Sequence, residues 1–185
     1  MKIPASVMKF IKKHNIKYEV VPHRKVFTAY DLAQTLNRKL NEVTKTLVVK
    51  VDNGHVVVVL PASHQVNFKT LKKVLGAKKV EIDRENVMVK LFKVKPGALS
   101  AFHGAMYKVP VYVDRSILKT QKVVAQAGSF EESLHLKAKD FIKAVQGELV
   151  RFAESKPKIR TSKPKTKKSK TARKAKSRKG GKKRR

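Results

Sequence analysis

Thr46-Leu47-Val48-Val49-Lys50-Val51, then Asp52-Asn53-Gly54-His55, then Val56-Val57-Val58-Val59-Leu60: the fold class turns on this stretch. Two runs rich in β-branched residues flank an Asn-Gly pair. Branched side chains fit a pleated surface, and Asn-Gly supplies the backbone freedom of a tight turn, so the stretch reads as a β-hairpin. Upstream, Val7, Phe10 and Ile11 recur at i, i+3 and i+4 after Pro4, the spacing of a short amphipathic helix. Lys17–Val21 reads as a strand. Thr28 reads as an N-cap with Asp31 at the third helical position, a variant of the capping box. Ala29, Leu32, Ala33 and Leu36 form the apolar face of that helix.

Downstream, Phe68–Leu75 reads as a helix ended by Gly76, and Lys79–Ile82 as a strand. Asp83 is placed to cap a helix running to about Phe92. Val109–Val113, Val123–Gln126 and Leu134–Leu136 read as strands. Ala138, Phe141, Ile142, Val145 and Leu149 read as one closing amphipathic helix. Strands dominate the middle, with helices between and after them. The expected class is α+β (mixed α/β), with a mixed sheet, curled or barrel-like, surrounded by helices.

The net charge of +32 is unevenly distributed. Ser155–Arg185 holds 17 Lys and Arg and no acidic residue, while residues 1–154 carry +15. The tail is built of charge, Pro, Ser, Thr, Ala and Gly. It has too little apolar surface to offset its chain entropy and is expected to be disordered. The expected division is 1–152 as a folded domain and 153–185 as a Lys/Arg-rich tail. Polycations bind phosphates by releasing counterions, without sequence preference. Lys165, Lys167, Lys168, Lys170, Arg173, Lys174, Arg178 and Arg184 are the tail's candidate nucleic-acid contacts.

Hydrophobic residues make up 41% of the chain, enough for a core, and there is no cysteine, which excludes disulfides, thiolate metal sites and a cysteine nucleophile. No apolar run approaches the roughly 20 residues that cross a bilayer, so no membrane association is expected and the expected location is cytoplasmic. The six histidines lack zinc spacing, and no Gly-rich phosphate loop, His-Glu-x-x-His or Gly-x-Ser-x-Gly occurs. No cofactor and no metal are expected. Two local features stand out. Lys45 opens a strand, where a rotatable point charge can meet a phosphate or carbonyl at a sheet rim; a solvated surface lysine is the commoner case. Pro96–Ala105 is rich in small residues, which read as a loop whose backbone N–H groups a substrate can approach; an ordinary connection is the plainer case. The residues alone do not name a reaction.

Blocks in order carry a resemblance. His23-Arg24-Lys25-Val26-Phe27-Thr28-Ala29, Val43-Thr44-Lys45-Thr46-Leu47-Val48-Val49, Val59-Leu60-Pro61-Ala62, Leu75-Gly76-Ala77-Lys78-Lys79-Val80, the Gly97–Gly104 segment, Tyr107–Asp114, Ala127-Gly128-Ser129 and Asp140-Phe141 resemble the YbaK/prolyl-tRNA-synthetase-associated domain family over roughly residues 5–147. The resemblance implies a metal-free, trans-acting hydrolase that cleaves the ester of a mischarged tRNA at its 3′-terminal adenosine. In that family the substrate's 2′-hydroxyl is believed to help position the water. The family's strand lysine falls on Lys45, which makes Lys45 the expected catalytic residue. His23, Phe27, Thr28, Gly97, Ser100, Ala101, Gly104, Gly128 and Ser129 are the expected substrate-binding residues. The implied partner is tRNA, with the ribosome or another nucleic acid as a target of the tail. Two departures touch the 97–104 segment: Ala101 stands where the family usually has proline, and His103 reads as a one-residue insertion. The alternative is a catalytically inactive nucleic-acid-binding protein of the same fold.

Overall fold

The computed structural model describes residues 2–156. Six helices lie at Ala5–Lys13 (α1), Ala29–Thr35 (α2), Phe68–Val74 (α3), Glu85–Phe92 (α4), Ala101–Met106 (α5) and Ala138–Ala144 (α6). Ten strands lie at Tyr18–Pro22 (β1), Thr44–Val51 (β2), Gly54–Pro61 (β3), His64–Val66 (β4), Val80–Ile82 (β5), Val111–Asp114 (β6), Lys122–Gln126 (β7), Glu132–Lys137 (β8), Glu148–Val150 (β9) and Ala153–Ser155 (β10). A 3₁₀ turn, Arg115–Lys119, joins β6 to β7.

The class is mixed α+β, as expected. The strands form three sheets that do not close into a barrel: a five-stranded mixed sheet in the order β5-β2-β3-β6-β9, a three-stranded sheet β1-β8-β7 and a pair β10-β4. The β2–β3 hairpin is the trunk. It pairs from Thr44 opposite Pro61 to Val51 opposite Gly54, so its two-residue loop is Asp52-Asn53. Asp52, not glycine, takes the left-handed conformation at φ +50°, and its carboxylate accepts the backbone N–H groups of Lys78 and Lys79.

The sheet is buried on both faces, and strand alternation sorts the side chains. Val57 and Val59 of β3, with Val48 of β2, face one core with α1, α5 and α6. Val56, Val58 and Leu60, with Leu47 and Val49, face a second core closed by Leu71 of α3 and by Phe152. Lys45 pairs with Leu60, which puts it on the Phe152 face of the sheet.

Three expected elements differ. Asp83 does not cap α4. Arg84 holds the N-cap position without a side-chain bond, and Asp83 instead accepts from His55 Nδ1 and the Arg84 N–H. The closing helix stops at Ala144; Gln146 turns to φ +51° and Leu149 lies in β9. The Pro96–Ala105 segment is not loop throughout, because its second half is α5. The residues just past position 152 form β10, and the expected tail contacts from Lys165 to Arg184 lie outside the described residues. Among the described residues no helix is long and apolar enough to cross a membrane.

Candidate active site

Lys45 sits where β2 has only one neighbouring strand. On its other edge β2 pairs with β5 through Val49–Val51, and just before β2 begins Val43 forms a single parallel bridge to Val124 of β7. Between those points the edge opens into a cleft of about 420 Å³, a size usual for small-molecule sites. Its walls include Lys45–Val48 of β2, Phe27–Tyr30 at the start of α2, Asp83, Glu85 and Met88 at α4, and Pro96, Gly97 and Leu99 from the loop before α5.

The Lys45 ammonium donates to the backbone carbonyl of His64 at 2.5 Å. An ammonium has three donors, so this bond fixes its position and leaves two for a ligand. Burial, reinforced by the nearby Lys156 ammonium, pulls its pKa from the ordinary lysine value down to about 8. A charge held here against partial desolvation is available to an anion or a developing oxyanion.

Thr28 is placed by the helix it starts. Its hydroxyl accepts the Asp31 N–H at 3.0 Å and donates to the Asp31 carboxylate at 2.7 Å. Phe27 and Tyr30 stand at the rim, 55% and 56% exposed. Phe27 rests against Phe130 with ring centroids 5.1 Å apart, under the Lys25 ammonium. A supported, exposed ring can stack on a flat aromatic group. Gly97 closes the wall at φ +84°. A Cβ there would come within 3.2 Å of the Phe27 carbonyl and of the Phe130 ring, so conformation and space both call for glycine.

Four of the expected residues therefore share the cleft: Lys45, Phe27, Thr28 and Gly97. The other six lie outside its lining. His23 bonds Ser133 Oγ through Nε2 and the Arg24 carbonyl through Nδ1. Ser100, fully buried, caps α5 by accepting the Phe102 N–H at 3.3 Å. The Ser100 N–H donates to His103 Nδ1 at 3.1 Å, so His103 completes a capping box in the place glutamate usually takes. Burial lowers His103 to about 4, which keeps Nδ1 an acceptor at neutral pH. Ala101 is buried in the first turn of α5. Gly128 packs on Pro4 and His103, and Ser129 Oγ accepts the N–H groups of Glu131 and Glu132 in the turn before β8.

Gly104 is a packing glycine. A Cβ there would lie 2.5 Å from Val111 Cγ2 and 3.2 Å from Val57 Cγ2. Gly104→Ala would gain roughly 1 kcal/mol of helix propensity. Val111, stiff at χ1 on its strand, cannot yield cheaply, and overpacking costs about 1–3 kcal/mol. The expected outcome is a net loss of stability, read as a lower urea midpoint; a midpoint at or above wild type would show that the α5–sheet contact gives way freely.

Sequence reading missed several wall residues. Leu47, Ala62, Met88 and Leu99 make part of the cleft apolar. Gln126 also lines it, and its buried Nε2 has no hydrogen-bond partner among the described residues, so it offers a ligand a donor. Only the alternation of β2 carried a local signal for any of these. Among the described residues no three His, Asp or Glu side chains converge as a metal-binding group.

The profile of the family described as "Aminoacyl-tRNA editing domain" matches residues 23–144. The proline–tRNA ligase of Staphylococcus saprophyticus is 32% identical over 111 residues, 60% of this chain and 19% of that protein. That of Staphylococcus aureus is 29% identical with the same coverage. The chain thus spans about a fifth of the length of these relatives. A solved protein described only as hypothetical superposes with a TM-score of 0.71 at 23% identity, over 80% of this chain and 99% of its own. A candidate trans-editing enzyme for prolyl tRNA synthetase superposes with a TM-score of 0.69 at 14% identity, over 83% and 100%. These two likenesses speak to fold. The profile takes in the cleft's β2 wall, its aromatic rim and the Gly97 turn, and on that match the chain belongs to the aminoacyl-tRNA editing domain family.

Proposed function

We propose that this protein hydrolyses, in trans, the ester that joins a wrongly attached amino acid to the 3′-terminal adenosine of a tRNA. The observation that carries the reading is the half-buried Lys45 ammonium, fixed in a cleft beside Phe27, Thr28 and Gly97. Phe27 and Tyr30 offer the terminal base a stacking surface. Leu47, Met88 and Leu99 offer an aminoacyl side chain an apolar wall, and the free Gln126 amide offers a donor to its polar end. Lys45 holds a phosphate or the ester carbonyl. Water adds to the carbonyl carbon, the bond to the ribose oxygen breaks, and that oxygen leaves as a hydroxyl after taking a proton. No side-chain base is assigned. Asp83 is engaged by His55, and the 2′-hydroxyl of the substrate is the group the resemblance implies for positioning the water.

The reading extends to the chain's two parts. The first 152 residues are assigned the editing chemistry, and the basic tail residues from Lys165 to Arg184 are assigned salt-sensitive, sequence-independent RNA affinity. The deciding experiment is a panel of tRNAs, each mischarged with one labelled amino acid. Release from at least one, above the uncatalysed rate, supports the proposal. No release from any, with RNA binding intact, leaves the inactive nucleic-acid-binding protein.

The pH dependence has a definite sign. A lysine is charged below its pKa, so the Lys45 ammonium is present below about 8 and lost above it. After subtraction of spontaneous ester hydrolysis, kcat/KM is expected to fall tenfold per pH unit above about 8, since this ratio reports the free enzyme. A flat profile to pH 10 would remove the ammonium from the mechanism. Folding runs the opposite way. The folded state disfavours the charged amine, so this group's unfavourable contribution is full below about 8 and is relieved as pH rises from there to the ordinary lysine value of 10.5.

A further inference from the structure

The segment after the family-matched residues is fastened to the cleft. β10 pairs antiparallel with β4, with Ala153 opposite Val66, Glu154 opposite Gln65 and Ser155 opposite His64. The Glu154 carboxylate accepts from Gln65 Nε2 at 2.8 Å and Asn67 Nδ2 at 2.7 Å. Phe152 is fully buried, and its N–H donates to Asp114 Oδ2 at 2.7 Å. The Lys156 N–H then donates to the Ser63 carbonyl at 3.2 Å. This ladder delivers Lys156 to the wall of the cleft that holds Lys45. The Lys45 ammonium itself bonds the carbonyl of His64, the residue opposite Ser155.

Lys45 and Lys156 therefore line one cleft, near enough for the Lys156 charge to help lower the Lys45 pKa. Holding like charges together is unfavourable until an anion joins them. Among the described residues neither acid of the cleft, Asp83 or Glu85, forms an ion pair with Lys45 or Lys156, and Asp83 bonds His55. The imidazole of His64 bonds Ser63 Oγ. Lysine is suited to a phosphate as a rotatable point charge. The anion is more than a free ion, because residues 157–185, joined directly to Lys156, carry 16 Lys and Arg and no acid. A charge run of that size suits a polyanion rather than a single free ion.

We propose that Lys156 is a second phosphate-holding residue of this site, which together with Lys45 takes the phosphodiester of the single-stranded 3′ end of an RNA. The RNA part rests on the deacylase reading; the two-cation site rests on the β10–β4 ladder.

The test uses the full chain with Lys156→Gln and Lys156→Arg. The probes are an uncharged hairpin RNA with a single-stranded CCA overhang, the same hairpin blunt-ended, and inorganic phosphate. Wild type is expected to prefer the overhang. Lys156→Gln is expected to lose that preference several-fold, with the slope of log K against log salt shallower by about 0.7, the release from one single-strand phosphate. Lys156→Arg restores it, and blunt-hairpin binding stays unchanged. In the free protein, NMR titration of the Lys45 Nζ is expected to move up toward ordinary lysine in Lys156→Gln. Wild-type overhang preference in a folded Lys156→Gln protein overturns the proposal, even where the Lys45 titration moves. Inorganic phosphate binding as tightly as the overhang RNA overturns the RNA assignment. Deacylation is not a readout here, so failure of the deacylase reading appears separately, as absence of turnover by wild type.

Discussion

Lys45→Ala is expected to lower kcat/KM for release of amino acid from a mischarged tRNA by about two to three orders of magnitude. Removing one preorganised cation that holds the substrate's phosphate or ester carbonyl in a partly desolvated site is expected to cost about 2.7–4 kcal/mol, the loss typical of a preorganised donor. The loss would not be a folding defect. Lys45 carries its charge against a burial cost that lowers its pKa to about 8, and among the described residues its ammonium bonds a single acceptor, the backbone carbonyl of His64. The variant's melting temperature is therefore expected to equal or exceed that of wild type. Lys45→Arg sharpens the test. Its guanidinium stays charged at every accessible pH, so whatever activity it keeps should lack the alkaline fall. A folded Lys45→Ala protein that retains turnover within a few-fold of wild type would end the role given to this residue.

Asp114→Ala is expected to destabilise the fold by about 3 kcal/mol or more. Asp114 is 2% exposed at the end of β6. One carboxylate oxygen accepts the N–H groups of Phe152 and Ala153 at 2.7 and 2.8 Å, and the other accepts the Ser116 N–H at 2.8 Å and the Ser116 hydroxyl. Each buried donor left without an acceptor costs roughly 1–3 kcal/mol. Burial alone would push the Asp114 pKa up. The bonds from the Ser116 side chain and from the backbone of Phe152, Ser116 and Ala153 outweigh it, and the net shift is downward. The sign for stability follows. The contribution is complete above the ordinary carboxylate range and disappears as pH falls through the lower, folded value. Urea melts of wild type and Asp114→Ala should differ widely at neutral pH and converge in strong acid. An equal gap at both would show that the carboxylate's charge is not what holds the C-terminal segment. Because Phe152 and Ala153 precede Lys156, the same variant should weaken the overhang preference assigned to Lys156.

The hairpin, α1–α4 and most strands were legible because each is a local pattern. β-branched runs pleat, and i, i+3, i+4 spacing makes a helical stripe. Thr28 and Asp31 show a cap within four residues. Helix α5 was not legible: Ala101–Met106 has small residues and a glycine where a helix usually shows an apolar stripe, and its capping box uses His103 in place of an acid. The early end of α6 was missed for the opposite reason. Leu149 continues the helical spacing, and only the left-handed turn at Gln146 and the pairing of β9 with β6 take it into a strand. In the site, the family blocks pointed to Lys45, Phe27, Thr28 and Gly97, which the fold gathers around one cleft. Those blocks could not tell that Ser100, Ala101 and Gly104 build the helix behind its wall.

The sequence by itself determined the fold class, the family, the strand that carries Lys45 and the concentration of positive charge after residue 155. The fold class and the strand follow from periodicity, which short-range hydrogen bonding translates into structure; the charge follows from composition, and the family from the resemblance of blocks in order. Only the tertiary structure decided what stands beside Lys45. Leu47, Met88, Gln126 and Lys156 come from segments up to 111 positions away. They meet because the β10–β4 register and the gap along one edge of β2 bring them together, and a long-range register leaves no trace in the spacing of neighbouring residues.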